Sequence, residues 1–216
     1  MDTSLLPILL GIAVLLPLIS FFVILAVGRW WRPVLGGYLA TAAIMAAGLL
    51  SLTSLAIWLS HHPVGAAGHH AADQAGPYVG DYYVLGQFGA LRITIGYYID
   101  SLTIVMCCLI TLIATCIHVY ALGYMHEELH PVTDHEVTLP DGSPLRRPGR
   151  FSNFFQYMSL FCFSMLGLVL AGNVAMVFVF WELVGICSYF LIGFYVERKS
   201  ASNAANKAFI VNRIGD

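Results

Sequence analysis

The 216-residue chain is 59% hydrophobic and 10% charged, with a mean hydropathy of +0.79 and a formal net charge of −2. Soluble domains carry roughly 25% charged residues, so this composition excludes an ordinary water-soluble globule and points to a membrane. No basic patch or aromatic platform is present to hold nucleic acid.

In chain order, Met1-Asp2-Thr3 lacks the positive n-region of a secretory signal, so the first apolar run is expected to stay in the mature protein. Apolar runs of about 20 residues can cross a ~30 Å hydrocarbon core. Two such runs, 5–27 and 34–59, fill the segment 1–59. The segment 60–98 is expected to be an outer loop ending in a strand, because apolar residues alternate with Arg92, Thr94 and Gly96. Gly86-Gln87-Phe88-Gly89 is placed to turn that strand back onto 82–85 as a β-hairpin. A third span covers 99–122, and 123–150 reads as a polar loop. The segment 151–216 holds spans at 151–171 and 174–196, joined at Gly172-Asn173, and a sixth helix beginning near Asn203. The chain stops at Asp216 without a cap or polar tail, as expected of the N-terminal part of a longer protein. The fold class is therefore an all-α, polytopic transmembrane bundle of five spans plus the start of a sixth, with a short extracellular β-hairpin.

Orientation follows from Lys and Arg in short loops. Arg29, Arg32, Arg146, Arg147, Arg150, Arg198 and Lys199 fall on one side if the spans alternate, against Arg92 on the other. The N-terminus is expected outside, with 60–98 periplasmic and 123–150 cytoplasmic.

Within this frame Glu182 is the outstanding residue. It lies roughly 12 Å along its helix from Val174, near mid-membrane, where a carboxylate costs roughly 2.5–3.5 kcal/mol and commonly serves proton or ion transfer. A glutamate is too short to snorkel out from that depth. Lys207, Arg213 and Asp216 add charge at the start of the sixth helix. Either Arg213 and Asp216, three apart, satisfy each other beside an interfacial Lys207, or Asp216 and Lys207 border a hydrated proton path. Asp100 reads as the N-cap of span three. His118, near the inner end of that span, is either a proton relay or a hydrogen-bonded interfacial histidine. The five cysteines, Cys107, Cys108, Cys116, Cys162 and Cys187, sit in apolar runs without a C-x-x-C pair and read as buried free thiols.

A competing motif is His126-Glu127-Glu128-Leu129-His130, a literal H-E-x-x-H match. Zinc hydrolysis needs both histidines on one helical face and a third ligand, for which His135 or Asp134 are the nearby options. Pro131 ends any helix as the second histidine arrives, so a solvated loop is the expectation and a membrane metalloprotease the remote alternative. His61-His62 and His69-His70 likewise read as loop residues or an adventitious metal site.

The run from Trp181 through Tyr195, Trp-Glu-Leu-Val-Gly-Ile-Cys-Ser-Tyr-Phe-Leu-Ile-Gly-Phe-Tyr, resembles the largest antiporter-like subunit of respiratory complex I, subunit L in bacteria and subunit 5 in mitochondria. The resemblance continues through Asn206–Asp216, takes in 117–125 and the outer hairpin leading to Asp100, and covers about residue 80 to the end apart from the 123–150 loop. It implies a proton-translocating module of about fourteen helices without redox cofactors of its own. FMN, iron–sulfur clusters and quinone belong to other subunits. It further implies that Glu182 pairs with a lysine on a later, broken helix, that Asp216 serves transport, and that Lys207 and Arg213 match basic residues of less certain role. The implied partners are other membrane-arm subunits and the lipid bilayer, and the implied site a bacterial inner membrane rather than a mitochondrial one. The same module occurs in the large subunit of multi-subunit Na+/H+ antiporters and in membrane-bound hydrogenases. The 123–150 loop is longer than the short acidic link usual in the family.

Overall fold

The computed structural model describes residues 3–28, 30, 32–62, 76–89 and 91–215. Arg29, His69, His70 and Asp216, singled out above, lie outside the described residues. Among the described residues, five helices are long and apolar enough to cross a membrane: α1 (Leu6–Val27), α2 (Pro33–His61), α3 (Ser101–Tyr124), α4 (Phe151–Leu170) and α5 (Val174–Ile192). A sixth, α6 (Lys199–Gly215), begins about a turn earlier than Asn203. Their starts follow local chemistry. Pro33 opens α2, where a missing N–H costs nothing. Asp100 caps α3 by accepting from the Thr103 N–H at 2.7 Å, and Asn173 caps α5 by accepting from the Met176 N–H at 2.9 Å.

Helices α1 to α4 pack together, with α4 touching each of the other three; α5 packs on α4, and α6 on α5. Small residues at the contacts (Ala13, Gly36, Gly37, Ala40, Ala47) let the backbones approach closely. A buried Ser20–Ser159 hydrogen bond of 2.9 Å joins α1 to α4. One apolar cluster gathers the start of α1, the end of α2 and the start of α3; a second gathers Ile24, Met125, Phe151 and Phe194 at the opposite end. The spans therefore alternate, and the second end is called inner below. Cys107, Cys162 and Cys187 are buried, as expected of thiols acting as small hydrophobes; Cys108 is half-buried and Cys116 is exposed on the outside of the bundle, contrary to expectation.

At the outer end β1 (Tyr78–Phe88) pairs antiparallel with β2 (Leu91–Ile99). The hairpin was expected, but its turn lies at Gly89 rather than over 86–89. Register shifts between Asp81 and Tyr83 and between Val84 and Gly86 keep Gly86 in the ladder opposite Ile93. This hairpin holds the α4–α5 turn. The Gly172 N–H donates to the Gly96 carbonyl at 3.1 Å and the Asn173 side-chain amide to the Thr94 carbonyl at 2.9 Å. A Cβ on Gly172 would stand 2.6 Å from the Gly96 backbone, so only glycine permits the approach.

The inner segment is not the loop the sequence suggested. A 3-10 turn (His126–Leu129) leads into a second hairpin, β3 (Val132–Thr138) with β4 (Pro144–Arg147). Its turn is fixed by Asp141, whose carboxylate accepts from the Ser143 N–H at 3.0 Å and the Ser143 hydroxyl at 2.7 Å. The reason the segment orders is a charge network. Glu128 accepts a bidentate pair of hydrogen bonds from Arg147 at 2.7 and 2.8 Å, both side chains 5% exposed, and a third from the Arg150 N–H at 3.1 Å. Burial pushes the Glu128 carboxyl up, but these donors outweigh it and hold it below the ordinary glutamate value. Arg150 pairs with Glu197; Arg198 donates to Asp134 at 2.8 Å and Glu136 at 3.1 Å. The Arg198 hydrogen bond holds the Asp134 carboxyl below its ordinary value.

Candidate functional site: an ion pair between α5 and α6

The Asn173 cap starts α5 so that Glu182 falls near the middle of a 19-residue helix. Its side chain is 17% exposed. Helix α6 returns antiparallel along α5: Ala205 meets Gly193, where a Cβ would lie 3.1 Å from the Ala205 Cβ, and Phe209 meets the Tyr189 ring at 5.7 Å, edge to face. The next four-residue step on α6 is Arg213. Its guanidinium reaches Glu182 and forms an ion pair, while also lying 5.8 Å from the Phe209 ring centroid. The pair has no net charge, which is how two ionised groups are accommodated in a low-dielectric slab.

This differs from expectation in two ways. Glu182 has a partner inside this chain, and that partner is an arginine. Arg213 is engaged with Glu182, and not, as the three-residue spacing suggested, only with Asp216, whose structure is not described. Lys207 stands eight residues into α6, roughly 12 Å from its start, deeper than the single turn expected, because α6 begins at Lys199. It is exposed, and no salt bridge reaches it among the described residues.

His118 is buried within the bundle and hydrogen-bonded. It is 1% exposed, with Nδ1 2.7 Å from the Ala114 carbonyl and its ring 6.1 Å from that of Phe155 on α4. That contact assigns the Nδ1–H tautomer and leaves Nε2 a buried acceptor without a partner among the described residues. His118 and Glu182 therefore occupy different places: His118 inside the α1–α4 bundle, Glu182 at its α5–α6 edge.

A cavity of about 350 Å3 opens at the inner end between α4, α5 and α6, lined by Arg150, Asn153, Tyr157, Tyr189 and Ser202 among others. Tyr189 lies two turns from Glu182 on the same face of α5. Between them is Gly185, where an added Cβ would meet open space. An inner cavity of mixed polar and apolar lining and a side-chain gap thus lie along the face that carries the half-buried acid.

The H-E-x-x-H match forms no ligand set. Its first four residues adopt a 3-10 turn, in which positions i and i+4 do not share a face, and His130 is already extended. Glu128 is committed to Arg147 and Asp134 to Arg198. Among the described residues no group of three His, Cys, Asp or Glu side chains is placed to hold a metal ion.

The family comparisons meet this geometry at the same residues. Residues 86–131 match the model described as NADH-Ubiquinone oxidoreductase (complex I), chain 5 N-terminus, and residues 171–216 match NADH:quinone oxidoreductase/Mrp antiporter, TM. The chain is similar to chloroplastic NAD(P)H-quinone oxidoreductase subunit 5 of Anthoceros angustus, 45% identical over 129 residues covering 59% of this chain and 15% of the relative. It is also similar to NAD(P)H-quinone oxidoreductase chain 5 of a Synechocystis species, 41% identical over 128 residues covering 59% and 16%. A third, the chloroplastic subunit 5 of Malvaviscus arboreus, is 46% identical over 121 residues covering 56% and 14%. The chain thus spans roughly a sixth of the length of the curated relatives it matches. The second matched segment holds α5, α6 and the Glu182–Arg213 pair; the first holds β2, α3 and His118. On these two segments and these relatives, the chain is similar to the antiporter-like membrane subunits named chain 5 or subunit 5 of NAD(P)H-quinone oxidoreductases.

Proposed function

We propose that the protein acts as a proton-translocating membrane-arm subunit of an NAD(P)H:quinone oxidoreductase. Proton movement here is driven by oxidation of the nicotinamide and reduction of quinone in other subunits, which hold FMN and the iron–sulfur clusters. This chain itself holds no redox cofactor. Its partners are the neighbouring membrane-arm subunits and the bilayer. The placement of seven Lys and Arg residues supports a periplasmic N-terminus, and the cyanobacterial relatives fit a bacterial inner membrane.

The observation that carries the reading is the Glu182–Arg213 pair at mid-helix, along the α5 face that leads to the inner cavity. A proton that enters through the cavity and binds the Glu182 carboxylate removes the negative partner of Arg213. The guanidinium keeps its charge at any physiological pH, so it is left uncompensated and the pair opens; loss of the proton recloses it. Moving one charge against the field costs ~2.3 kcal/mol per 100 mV, and an ion pair that must break before a proton moves on supplies a gate. Lys207, exposed on α6, and Asp216, within the second matched segment, are further candidates for carrying the proton, and His118, with its bare Nε2, offers a second proton acceptor inside the bundle. The second matched family description also takes in Mrp antiporters; the three relatives named above, each a quinone oxidoreductase subunit, favour the first reading.

Replacing Glu182 by glutamine in the full-length protein keeps the shape and removes the titratable group. The complex is expected to assemble and to lose most of its proton pumping in reconstituted vesicles. Normal pumping would sink the assignment of Glu182.

A further inference from the structure

The β3–β4 hairpin grips the link between α5 and α6, and α6 carries Arg213. We propose that this hairpin is a clasp that sets the pose of α6, with Asp134 and Arg198 as positioning residues for the Glu182–Arg213 pair; the proposal rests on the function proposed above.

Among the described residues, helix α6 packs chiefly on α5. Ala205 is its only buried residue among those described, and its contacts run along a single face of α5. Its base is different. Of the link residues, the Phe194 carbonyl accepts from Arg150 at 3.4 Å, Glu197 pairs with Arg150, and Arg198 pairs with Asp134 and Glu136. The Tyr195 ring lies under two guanidiniums, Arg147 at 5.4 Å and Arg198 at 5.0 Å, which joins the link to the buried Glu128–Arg147 pair. Asp134 is no mobile surface acid: its side chain is 2% exposed and also accepts from the Glu136 N–H at 3.0 Å. The hairpin, the start of α4 and the base of α6 are therefore one connected polar unit.

Leverage turns that unit into a positioning device. Arg213 lies 15 residues beyond Arg198 (213 − 198), so a tilt of about 5° at the base displaces it by about 2 Å. A misplacement of that size is enough to cost a reaction about a hundredfold. With Arg198 fixed, Ala205 stays against Gly193, Phe209 against Tyr189, and Arg213 within reach of Glu182.

The test uses the full-length protein in its membrane complex, with the exposed Cys116 replaced by serine. A Gly193→Cys, Ala205→Cys pair reports the α5–α6 distance through its rate of disulfide formation, since the two Cβ positions lie near bonding separation. Protons pumped per quinone reduced report function in the same complex without the added cysteines. Arg198→Gln is expected to slow cross-linking several-fold and to lower the pumping ratio several-fold, while Arg198→Lys, which keeps the charge, restores part of both. Should Arg198→Gln fail to assemble, Asp134→Asn, equal in size, is expected to give the same two readings. An unchanged cross-linking rate, or slowed cross-linking with full pumping, overturns the proposal. Normal pumping by Glu182→Gln would instead remove the proposed function and leave the cross-linking arm to decide the clasp alone.

Discussion

Two hairpins hold the helix that carries Glu182, one at each end, and they do it with opposite chemistry. The outer hairpin grips the α4–α5 turn through neutral groups: backbone from Gly172 to Gly96, and the Asn173 amide to Thr94. The inner hairpin grips the α5–α6 link through charges, with Glu128, Asp134 and Glu197 each answered by an arginine. The outer contact depends on closeness and tolerates no added atom at Gly172; the inner depends on ionised acids and arginines staying paired. Helix α5 thus has one end fixed by shape and the other by charge, and Glu182 lies between them.

The largest expected effect breaks the charged end. Glu128→Gln leaves the Arg147 guanidinium buried without its counter-charge, and loss of one partner of a buried pair costs about 3–5 kcal/mol. Thermal unfolding of the purified protein should show that loss, accompanied by faster proteolysis within 132–147. A smaller effect breaks the shaped end. Gly172→Ala forces a Cβ against the Gly96 backbone, and overpacking of this kind costs about 1–3 kcal/mol. It should loosen the outer hairpin while leaving proteolysis of the inner one unchanged.

Acid sharpens the comparison with the smallest change. Glu128 and Asp134 titrate below their ordinary values in the folded protein, so their stabilisation is fully present above about pH 4, the unfolded range. It is lost as pH falls through the depressed folded values. Between pH 7 and about 4 both carboxylates stay ionised. Below that, protease sites in the inner hairpin should open, while the neutral outer contacts persist.

Much of this architecture was legible in the sequence because bilayer length and alternation are coarse and local. Five spans, the N-cap Asp100, the turn at Gly172-Asn173 and the outer strand all follow from spacing and residue type. The inner hairpin was not legible. In the sequence Arg146, Arg147, Arg150 and Arg198 read as signals of membrane side, and nothing local shows which acids they meet. Glu128, Asp134 and Glu197 fall on the same side as those arginines, a balance that signals pairing, although which acid meets which arginine depends on the fold. The site was half legible. Depth singled out Glu182, but its pairing with Arg213 depends on where α6 starts and how it packs, and a start placed about one turn late had put Arg213 and Lys207 at the wrong depth. His118 was visible as a titratable group; that it is fully buried beside Phe155 was not, since an α-helical histidine six residues from a helix end reads equally well as interfacial.

The most direct measurement is the ratio of protons translocated to quinone reduced, in vesicles carrying the full-length protein with Glu182→Asp or Glu182→Gln. Aspartate keeps the carboxylate on a shorter stem and should retain part of the ratio. Glutamine should lower it as far as the chain's share of pumping allows, with quinone reduction still measurable. Equal ratios for glutamine and the parent would show that no proton passes through Glu182, and would contradict the account.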